Sequence, residues 1–430
     1  MNICIVGAGH VGLVTGACFA ELGNQVICAD KNSFRITQLK KGVMPFYEPG
    51  LREMVLNNAL KRRLKFTSNL KPAVKKSLVI FIAVGTPPKA NGDADLTDIE
   101  QVAREIARHM SSYRLIVEKS TVPVETGKWV ERIIKINARG KTKFDVASNP
   151  EFLSEGSAIR DFMQPDRIVL GAEGKKARSI LQELYKPLKA PILMTDIKSA
   201  ELIKHASNSF LATKISFINA VANICERVGA DVTKVAEGIG KDRRIGNKFL
   251  NAGCGYGGFC FPKDIDAFIH IAEKKGYDFQ LLKAVKQVND QQKQLVVAKI
   301  EAALGGLKAK TVSILGLSFK PGTDDLRFAP SIYIIERLKL GGARIRAFDP
   351  QAMRLAREVF KEIKFCRNAY EAAKGSNCLV ILTEWDEFKE LDLKKIKRLL
   401  KQPVIIDGRN IYDPKKARKI GFKYFDIGRC

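Results

Sequence analysis

The sequence predicts an α/β protein in which two doubly wound parallel-sheet domains are joined by a long central helix. Short apolar strands alternate with amphipathic helices in the first part of the chain and again from residue 310 onward, which is the pattern of βαβ units. Between them, 199–227 has few helix breakers and is mainly apolar, so it predicts one helix longer than the usual three or four turns. A chain of 430 residues is long enough for two or three domains, and we place them at 1–196, 197–300 and 301–430.

The composition indicates a soluble protein with a sizeable core, because 46% of the residues are hydrophobic. No stretch approaches the ~18 uninterrupted apolar residues that cross a bilayer. The N-terminus lacks the basic region of a signal peptide. We therefore expect a cytoplasmic protein without a membrane partner.

The chain is strongly basic, with 73 Lys and Arg against 46 Asp and Glu and a formal net charge of +27. Such a charge suits nucleic acid, an anionic membrane or acidic small molecules. The basic residues are spread along the chain, and no aromatic-rich RNA motif or recognition helix accompanies them. Phosphate-bearing small molecules are therefore favoured over nucleic acid as partners.

The cysteines and histidines show neither disulfide nor metal-site spacing. The nine cysteines are Cys4, Cys18, Cys28, Cys225, Cys254, Cys260, Cys366, Cys378 and Cys430. Several lie inside apolar runs, as reduced core cysteines do, and no His/Cys cluster completes a zinc site. We expect reduced thiols and no metal.

The first βαβ unit has the sequence pattern of a dinucleotide-binding loop. A predicted strand at 2–6 leads into GAGHVG at 7–12 and a helix over 11–22. A second strand follows at 25–29 and is closed by Asp30. Strand, GxGxxG, helix, strand and acid in this order predict a Rossmann-like NAD-binding domain.

Each glycine of this loop, and the acid that closes the second strand, has a physical role. Gly7 permits a tight turn, Gly9 lets a pyrophosphate reach the backbone, and Gly12 lets helix and strand pack closely. Asp30 would accept hydrogen bonds from the adenosine ribose and repel a 2′-phosphate, which favours NAD over NADP. Arg35 lies nearby in sequence and leaves NADP open as an alternative.

The next strands of this domain end at polar residues. Strands are predicted at 77–84, 115–119 and 145–148. Thr86, Thr121 and Glu151 follow them, and ligands bind beyond the carboxyl ends of strands in an open parallel sheet. These residues are therefore candidates for a ligand-binding site. Each of them taken singly is also explained by the frequent occurrence of Gly, Thr and Pro in loops.

Cys260 lies in a run of glycines and phenylalanines, GCGYGGFCFPKD, at 253–264. Pro262 is suited to the first turn of a helix, so we expect Cys260 just before a helix N-terminus. There, unpaired N–H groups and the macrodipole stabilise a thiolate. A buried structural cysteine is the alternative for an isolated thiol, but the neighbouring residues favour a nucleophile.

The central helix and the last segment add further polar candidates. Lys204 and Asn208 are four residues apart and project from one helix face, although position alone favours solvent for Lys204. A second Rossmann-like unit is predicted from strands at 311–317, 344–348, 378–383 and 404–407 and a helix at 331–340. It lacks the dinucleotide glycines, which suggests a different nucleotide, and Lys320 and Arg409 at its strand ends suit a diphosphate.

Together these motifs resemble the UDP-glucose/GDP-mannose dehydrogenase family over essentially the whole chain and in the family's order. The motifs are GAGHVG, VGTP at 84–87, STVPVETG at 120–127, NPEFLSEGSAIRDFMQPDRIVLG at 149–171, SAELIKHASNSFLATKISFIN at 199–219, GCGYGGFCFPKD, GLSFKPGTDDLR at 316–327, TEWDEF at 383–388 and DGRN at 407–410. The resemblance implies a four-electron oxidation in which an alcohol becomes a carboxylate and two NAD are reduced. Cys260 would hold the intermediate aldehyde as a thiohemiacetal and then as a thioester.

The resemblance also assigns the residues around the thiol. Asp264 and Glu151 match carboxylates that handle water and protons. Lys204 and Asn208 match the pair that stabilises the developing oxyanion. The resemblance therefore predicts that Lys204 points into the site, and not to solvent as its position alone suggests. Thr121 matches a residue that positions the catalytic water or proton relay.

The binding positions that the resemblance implies fall into two sets. The cofactor set is Gly7, Gly9, Val11, Gly12, Asp30, Arg35, Thr86, Thr121, Glu155, Lys263 and Arg327. The nucleotide-sugar set is Glu151, Phe152, Leu153, Ser154, Glu155, Lys204, Asn208, Arg244, Phe249, Leu250, Asn251, Ala252, Gly253, Gly257, Phe319, Lys320 and Arg409. In the family, an arginine like Arg244 can reach across a dimer, and a long helix after a Rossmann-type domain often builds a dimer interface, so we expect a homodimer.

Three residues depart from the family pattern without removing a required chemical group: His10, Phe259 and Phe328. The segments DGRN, TEWDEF and FLNAGCGYGG favour UDP-glucose as the substrate. GDP-mannose or a UDP-N-acetylhexosamine remains the alternative. A non-catalytic NAD-dependent binding protein is a remote alternative, because such a protein has no need of four intact residues of this kind: Cys260, Lys204, Asn208 and Asp264.

Overall fold

The computed structural model of the chain describes residues 1–89, 93–138, 140 and 142–429. The chain forms two compact units. The first consists of Met1–Ser207 and Asp266–Tyr277, and the second of Asn208–Ile265 and Asp278–Cys430. The predicted division into three domains remains a prediction.

The first unit is built on one sheet, which has eight strands in the described part of the chain. The strands are β1 Asn2–Val6, β2 Gln25–Ala29, β3 Leu64–Thr67, β4 Val79–Ile82, β5 Arg114–Glu118, β6 Phe144–Ser148, β7 Ile168–Ala172 and β8 Ile192–Thr195. Their order is β3-β2-β1-β4-β5-β6-β7-β8. Neighbouring strands are parallel except β6 and β7, which pair antiparallel.

Helices cover both faces of this sheet. They are α1 His10–Glu21, α2 Ser33–Lys40, α3 Leu51–Leu60, α4 Leu70–Lys76, α5 Thr97–His109, α6 Thr126–Asn137, α7 Ala158–Met163 and α8 Lys175–Tyr185. Because successive side chains of a strand point to opposite faces, β1 contributes to two cores. Ile3 and Ile5 pack with α1 and α8, whereas Cys4 and Val6 pack with α5 and α6.

The second unit has a six-stranded sheet among its described residues, and all neighbouring strands in it are parallel. The strands are β9 Thr311–Leu315, β10 Arg344–Phe348, β11 Lys364–Phe365, β12 Cys378–Ile381, β13 Val404–Asp407 and β14 Lys423–Phe425, in the order β11-β10-β9-β12-β13-β14. Alternate residues of β12 again divide between two cores. Cys378 and Val380 lie in one core and Leu379 and Ile381 in the other.

In the described part of the chain, ten further helices follow α8, and two of them, α9 and α12, have 25 residues or more. The remaining helices are α9 Ile197–Val228, α10 Val232–Gly240, α11 Cys260–Lys274, α12 Gln280–Leu304, α13 Pro330–Leu340, α14 Met353–Val359, α15 Ala369–Ala373, α16 Asp386–Lys389, α17 Leu393–Leu399 and α18 Pro414–Ile420. Asp196 caps α9 by accepting the Ser199 backbone N–H at 2.9 Å. Gly229, with φ +75°, follows its last turn. The boundary between the two units falls within α9 and within α11.

The predicted fold class is confirmed: two Rossmann-like sheets and a long central helix are present. The antiparallel β6–β7 pair differs from a uniformly parallel sheet. No helix in the described ranges is both long enough and apolar enough to span a bilayer.

Candidate active site

The glycine loop after β1 has the geometry that a dinucleotide requires. Gly7 has φ +104°, and a Cβ there would lie 2.4 Å from the Ala83 carbonyl oxygen. A Cβ on Gly12 would lie 1.9 Å from the carbonyl oxygen of Gly7. By contrast, a Cβ on Gly9 would meet nothing within 4 Å. The loop therefore packs tightly on its protein side and leaves space beside Gly9 at the N-terminus of α1, where a pyrophosphate fits.

Asp30, at the end of β2, is brought against this loop. Its Oδ2 accepts the Ala8 N–H at 2.8 Å and also a hydrogen bond from Arg35 Nη1 at 2.8 Å. Its Oδ1 accepts the Asn32 N–H at 2.9 Å. Two predicted cofactor residues, Asp30 and Arg35, thus form one ion pair, which suits the ribose end of the cofactor.

The loops that follow β4 and β5 are joined at the residues predicted from the strand ends. Thr86 Oγ1 donates to the Thr121 carbonyl oxygen at 2.9 Å, and Ser120 Oγ donates to the Val84 carbonyl oxygen at 2.8 Å. The carboxyl ends of the two strands therefore present a single polar surface. Thr86 is buried within it, and Thr121 is half-buried.

Glu151 and Lys204 form a buried ion pair in the first unit. Lys204 Nζ lies 2.8 Å from Glu151 Oε1, and the side chains are 4% and 5% exposed. Glu151 Oε2 accepts the Leu153 N–H at 2.6 Å. The position of Lys204 on its helix favoured solvent, and that expectation is wrong, because its ammonium is buried against a carboxylate that compensates its charge.

The other predicted residues of the 151–155 segment surround this pair less closely. The Phe152 ring lies 5.5 Å from Lys204 Nζ and is covered by Arg167 at 3.7 Å. Ser154 is exposed, and Leu153 and Glu155 are half-buried. The segment therefore offers both a buried polar face and an accessible one.

Cys260 is the first residue of α11 and is half-buried. The expected position just before the helix is thus wrong by one residue, because the helix already includes the cysteine ahead of Pro262. The other seven described cysteines are all buried free thiols, and burial raises the pKa of several of them, such as Cys254. Cys430 lies outside the described residues. Cys260 is therefore the accessible thiol of the described chain.

Asp264 lies one helical turn after Cys260 and contacts two other predicted residues, Asn208 and Lys263. Asn208 Nδ2 donates to Asp264 Oδ2 at 2.5 Å. Lys263 Nζ lies 2.6 Å from Asp264 Oδ1, and the side chains are 7% and 1% exposed. Since residues four apart share a helix face, a thiol, a carboxylate, an amide and an ammonium meet at the start of α11.

The glycines before Cys260 are required by close packing. Gly258 has φ +83°, and a Cβ on it would lie 2.7 Å from the Phe319 ring. A Cβ on Gly257 would lie 2.4 Å from the Phe328 carbonyl oxygen. The backbone of the loop thus lies directly on the 319–328 segment, which explains the absence of side chains at both positions.

Arg409 fastens the same loop to the second sheet. Its guanidinium donates to the carbonyl oxygens of Leu382 at 2.7 Å, Phe319 at 3.2 Å and Gly255 at 3.3 Å. Glu384 lies 3.3 Å from its Nε. Arg409 and Phe319, both predicted to bind the nucleotide sugar, are therefore in contact, and Gly253 lies beside Arg409. Lys320 Nζ lies 5.7 Å from the Phe319 ring.

The family departure Phe259 lies between two predicted cofactor residues. Its ring is 4.3 Å from the Arg327 guanidinium and 5.6 Å from Lys263 Nζ, distances at which cations are attracted to a ring face. Arg327 also pairs with Asp325 at 2.7 Å. Phe259 thus packs with two cations.

Other residues predicted to bind the nucleotide sugar lie either in the hydrophobic core or at the surface. Leu250 and Ala252 belong to the hydrophobic core of the second unit, so only their backbones remain for a ligand. Asn251 is exposed, and Phe249 is 37% exposed with φ +65°. The Arg244 side chain is 88% exposed and pairs with Asp242 at 2.6 Å.

Glu48 is a residue that sequence reasoning missed. Its carboxylate accepts the N–H groups of Gly156 at 2.7 Å and Ala158 at 2.9 Å and lies 3.0 Å from His10 Nε2. It therefore connects the dinucleotide loop to the 149–158 segment. Glu48 lies outside any helix or strand, and no motif separated it from an ordinary surface glutamate.

No group of three or more potential metal-ligating side chains occurs within the ranges that the structure describes. The charged groups near Cys260 instead neutralise one another in pairs. Their arrangement suits covalent capture of a carbonyl by a thiolate, with an ammonium and an amide at hand for an oxyanion.

Comparison with known families accounts for most of the chain. Models of the UDP-glucose/GDP-mannose dehydrogenase family match residues 1–189 with its NAD binding domain, 198–291 with its central domain and 313–414 with its UDP binding domain. The three matches follow the order of the motifs in the sequence.

Individual relatives extend over the full length. UDP-glucose 6-dehydrogenase TuaD of Bacillus subtilis (strain 168) is 50% identical over 429 residues, covering 100% of this chain and 93% of the relative. The structure of a UDP-glucose dehydrogenase from Pyrobaculum islandicum has a TM-score of 0.93 and 40% identity, covering 100% of this chain and 98% of that one. A UDP-D-ManNAc dehydrogenase from Pyrococcus horikoshii has a TM-score of 0.87 and 26% identity, with coverage of 100% and 99%. The chain belongs to the UDP-glucose/GDP-mannose dehydrogenase family.

Proposed function

We propose that the chain is an NAD-dependent UDP-glucose 6-dehydrogenase that oxidises UDP-glucose to UDP-glucuronate. The observation that carries the reaction type is the half-buried Cys260 at the start of α11, on the same helix face as Asp264. The substrate is supported by full-length similarity to UDP-glucose 6-dehydrogenases at 43–50% identity.

The overall reaction consumes one UDP-glucose, two NAD and one water and yields UDP-glucuronate, two NADH and three protons. NAD bound at the glycine loop supplies the hydride acceptor. In the first oxidation, the C6 hydroxyl loses its proton and C6 loses a hydride, which leaves an aldehyde. We assign the proton to a carboxylate of the chain, and the Glu151–Lys204 pair, 2.8 Å across, is suited to take it.

The second oxidation needs the thiol. Cys260 loses its thiol proton to solvent, and its Sγ forms a bond to the aldehyde carbon, whose carbonyl oxygen becomes an alkoxide. We assign stabilisation of that oxygen to Lys204 and Asn208. Loss of a second hydride from this carbon gives a thioester. Water, deprotonated by Asp264, then attacks the carbonyl carbon and breaks the C–S bond, which releases the carboxylate and restores the thiol.

The test is the stoichiometry of NADH formed per nucleotide sugar by the purified protein. We expect two NADH for each UDP-glucose and little turnover of GDP-mannose or UDP-N-acetylhexosamines. Oxidation of one of these sugars with no reaction on UDP-glucose would assign the chain to a sister activity of the family. No NAD reduction with any member of the panel would favour a non-catalytic binding protein.

We infer that the chain forms a homodimer through the part of α9 that runs from Phe210 to Val228. Four large apolar side chains of this helix are exposed: Phe210 at 66%, Phe217 at 56%, Ile224 at 57% and Val228 at 69%. Spacings of seven, seven and four place them on one face, and contiguous exposed apolar surface of this kind marks an interface. A second copy of the chain is the occupant that this face fits.

We also propose that the enzyme works in the cytoplasm and supplies UDP-glucuronate for polysaccharide synthesis. The free thiols of the described cysteines fit a reducing compartment. The predicted segments 1–196, 197–300 and 301–430 then correspond to NAD binding, dimerisation with the catalytic loop, and UDP-sugar binding. Fractionation of cells that express the untagged protein tests the location.

A further inference from the structure

A second lysine is buried beside the Glu151–Lys204 pair and has no role in the proposed mechanism. Lys119 directly follows β5, and the residue is 4% exposed. Its Nζ donates to Asn149 Oδ1 at 2.9 Å. Burying a lysine costs free energy unless its ammonium group is hydrogen-bonded. The bond to Asn149 offsets this cost, and we ask what the buried pair contributes to the site.

Asn149 is the first residue of the turn that leads to Glu151. Its backbone N–H donates to the Glu118 carbonyl oxygen at 2.8 Å, and its Nδ2 donates to the Val169 carbonyl oxygen at 2.9 Å. Its Oδ1 accepts from both Lys119 and the Tyr185 hydroxyl. Hydrogen bonds at both its amide oxygen and its amide nitrogen therefore fix the Asn149 side chain between β5 and β7.

We propose that Lys119 is a positioning residue for Glu151, which it holds in its pairing with Lys204 by fixing Asn149 and the Asn149-Pro150-Glu151 turn. Only one residue separates Asn149 from Glu151, and that residue is Pro150, whose φ is locked by its ring. A displacement of Asn149 is therefore transmitted to the Glu151 carboxylate. The inference rests on the proposed roles of Glu151 and Lys204.

Electrostatics adds a pH dependence to this arrangement. Burial lowers the pKa of Lys119 to about 7, with Glu151 raising that pKa and Lys204 lowering it further. Above this pH Lys119 is neutral, still donates to Asn149, and leaves Lys204 as the cation that pairs with Glu151. Below it, a second ammonium competes for the Glu151 carboxylate.

Other titratable groups lie around this cluster and must be separated from Lys119. Burial raises the pKa of Glu118, on the strand that ends at Lys119, to about 8, and that of Glu201 on α9 to about 7. Burial also raises the pKa of Tyr185, on α8, far above the working range. A comparison of variants, rather than one pH profile, is therefore needed.

The test compares Lys119→Met with Arg114→Met in the full-length enzyme. Arg114 is a matched control because it is also a buried cation, at the other end of β5, bound to the Val74 and Lys75 carbonyl oxygens. We expect K119M to lower kcat about tenfold with both KM values changed less than about threefold, since misplaced catalytic groups affect the chemical step. We also expect K119M to change the acidic side of the pH profile of kcat. R114M should lower the stability of the fold and leave the acidic side of that profile unchanged.

A second readout does not depend on activity. A lysine whose folded pKa lies near 7 and whose unfolded pKa is about 10.4 binds more protons when unfolded, so its contribution makes stability rise with pH between these values. K119M should lose this rise in chemical unfolding experiments, and R114M should keep it. If wild-type enzyme fails to oxidise any nucleotide sugar, the proposed function fails, and the unfolding measurement still tests the buried lysine.

Tyr185→Phe provides an independent variant if K119M does not fold. It removes the other donor to Asn149 Oδ1, and we expect kcat to fall about threefold at unchanged KM, as for the loss of one hydrogen bond. Wild-type kcat and an unchanged pH profile in K119M, or in Y185F where K119M is unfolded, would overturn the positioning role.

Discussion

Cys260 combines two local properties that the other described cysteines lack together. It is half-buried, and it begins a helix whose first turn also contains Lys263. The N-terminal end of a helix favours a negative sulfur through its macrodipole. In the proposed mechanism, Cys260 is therefore the residue that takes the reaction beyond the aldehyde.

Replacing Cys260 with Ser should abolish net turnover and preserve substrate binding. A serine hydroxyl is a far weaker nucleophile at neutral pH, so we expect steady-state NADH formation to fall by at least about 10³-fold, while the Kd for UDP-glucose in calorimetry stays within about threefold. Cys254→Ser is the matched control, because Cys254 is a buried thiol of the same loop. Full activity in C260S would refute the covalent mechanism.

Two glycines of the dinucleotide loop should respond differently to alanine. Gly9→Ala adds a Cβ that meets no protein atom within 4 Å, so thermal stability should be unchanged while NAD affinity falls about tenfold or more, because the methyl group occupies the approach of the pyrophosphate. Gly12→Ala places its Cβ 1.9 Å from the Gly7 carbonyl oxygen and should destabilise the fold itself. Equal NAD affinity in G9A and wild type would contradict this placement of the cofactor.

The limits of sequence inference are visible at single residues. Cys260, Asn208 and Asp264 could be named because their motifs are specific, and helical spacing places Cys260 and Asp264 on a common face of α11. The burial of Lys204 could not be derived from its own helix, because it depends on Glu151, a residue more than fifty positions away in the chain. Glu48 and Lys119 escaped notice for the same reason, since their partners are remote in sequence.

At the scale of secondary structure, the loop after β5 is held by helix α9. Glu201 accepts the N–H groups of Glu125 and Gly127 at 2.7 Å each, and His205 Nε2 lies 2.8 Å from the Val122 carbonyl oxygen. Glu201 thereby satisfies N–H groups at the start of α6. The segment that carries Thr121 is thus fixed by the same helix that carries Lys204.

Glu201→Gln should remove a pH dependence of stability. Burial raises the folded pKa of Glu201 to about 7, so the folded state binds more protons than the unfolded state between about pH 4.3 and about pH 7. In this window the group makes wild-type stability fall as pH rises, by an amount on the order of 2 kcal/mol. Urea unfolding of E201Q at several pH values should lack this component, and parallel curves for the two proteins would contradict it.

Elements were predicted well where periodicity and glycine signals coincide. The helix predicted at 199–227 is observed at Ile197–Val228, and the strands predicted at 25–29 and 344–348 have the predicted bounds. The reversal of β7 was not foreseen. A buried strand has the same apolar pattern in either direction, and only the path of its connection decides which one it takes.

At the scale of the whole molecule, the exposed side of α9 is a run of apolar side chains on one helix face that a single chain leaves in contact with water. In the described part of the chain, Phe210, Phe217, Ile224 and Val228 are more than half exposed, although burying one such side chain gains roughly 1.5–3 kcal/mol. A second copy that presents the same face would bury all four in a two-fold interface.

Phe217→Glu in the middle of this face should convert the proposed dimer to a monomer. A carboxylate there would be desolvated against the apolar partner surface, which opposes association by several kcal/mol, and light scattering after gel filtration should report about half the wild-type mass. Leu60→Glu is the matched control, because Leu60 is 82% exposed at the end of α3 and lies outside this face.

Since Phe217 is 56% exposed, the fold of the subunit should survive the substitution, so a monomer with native circular dichroism is the expected species. An F217E protein that keeps the wild-type mass would place the subunit contact elsewhere, and a dimeric F217E beside a monomeric L60E would move it to the first unit.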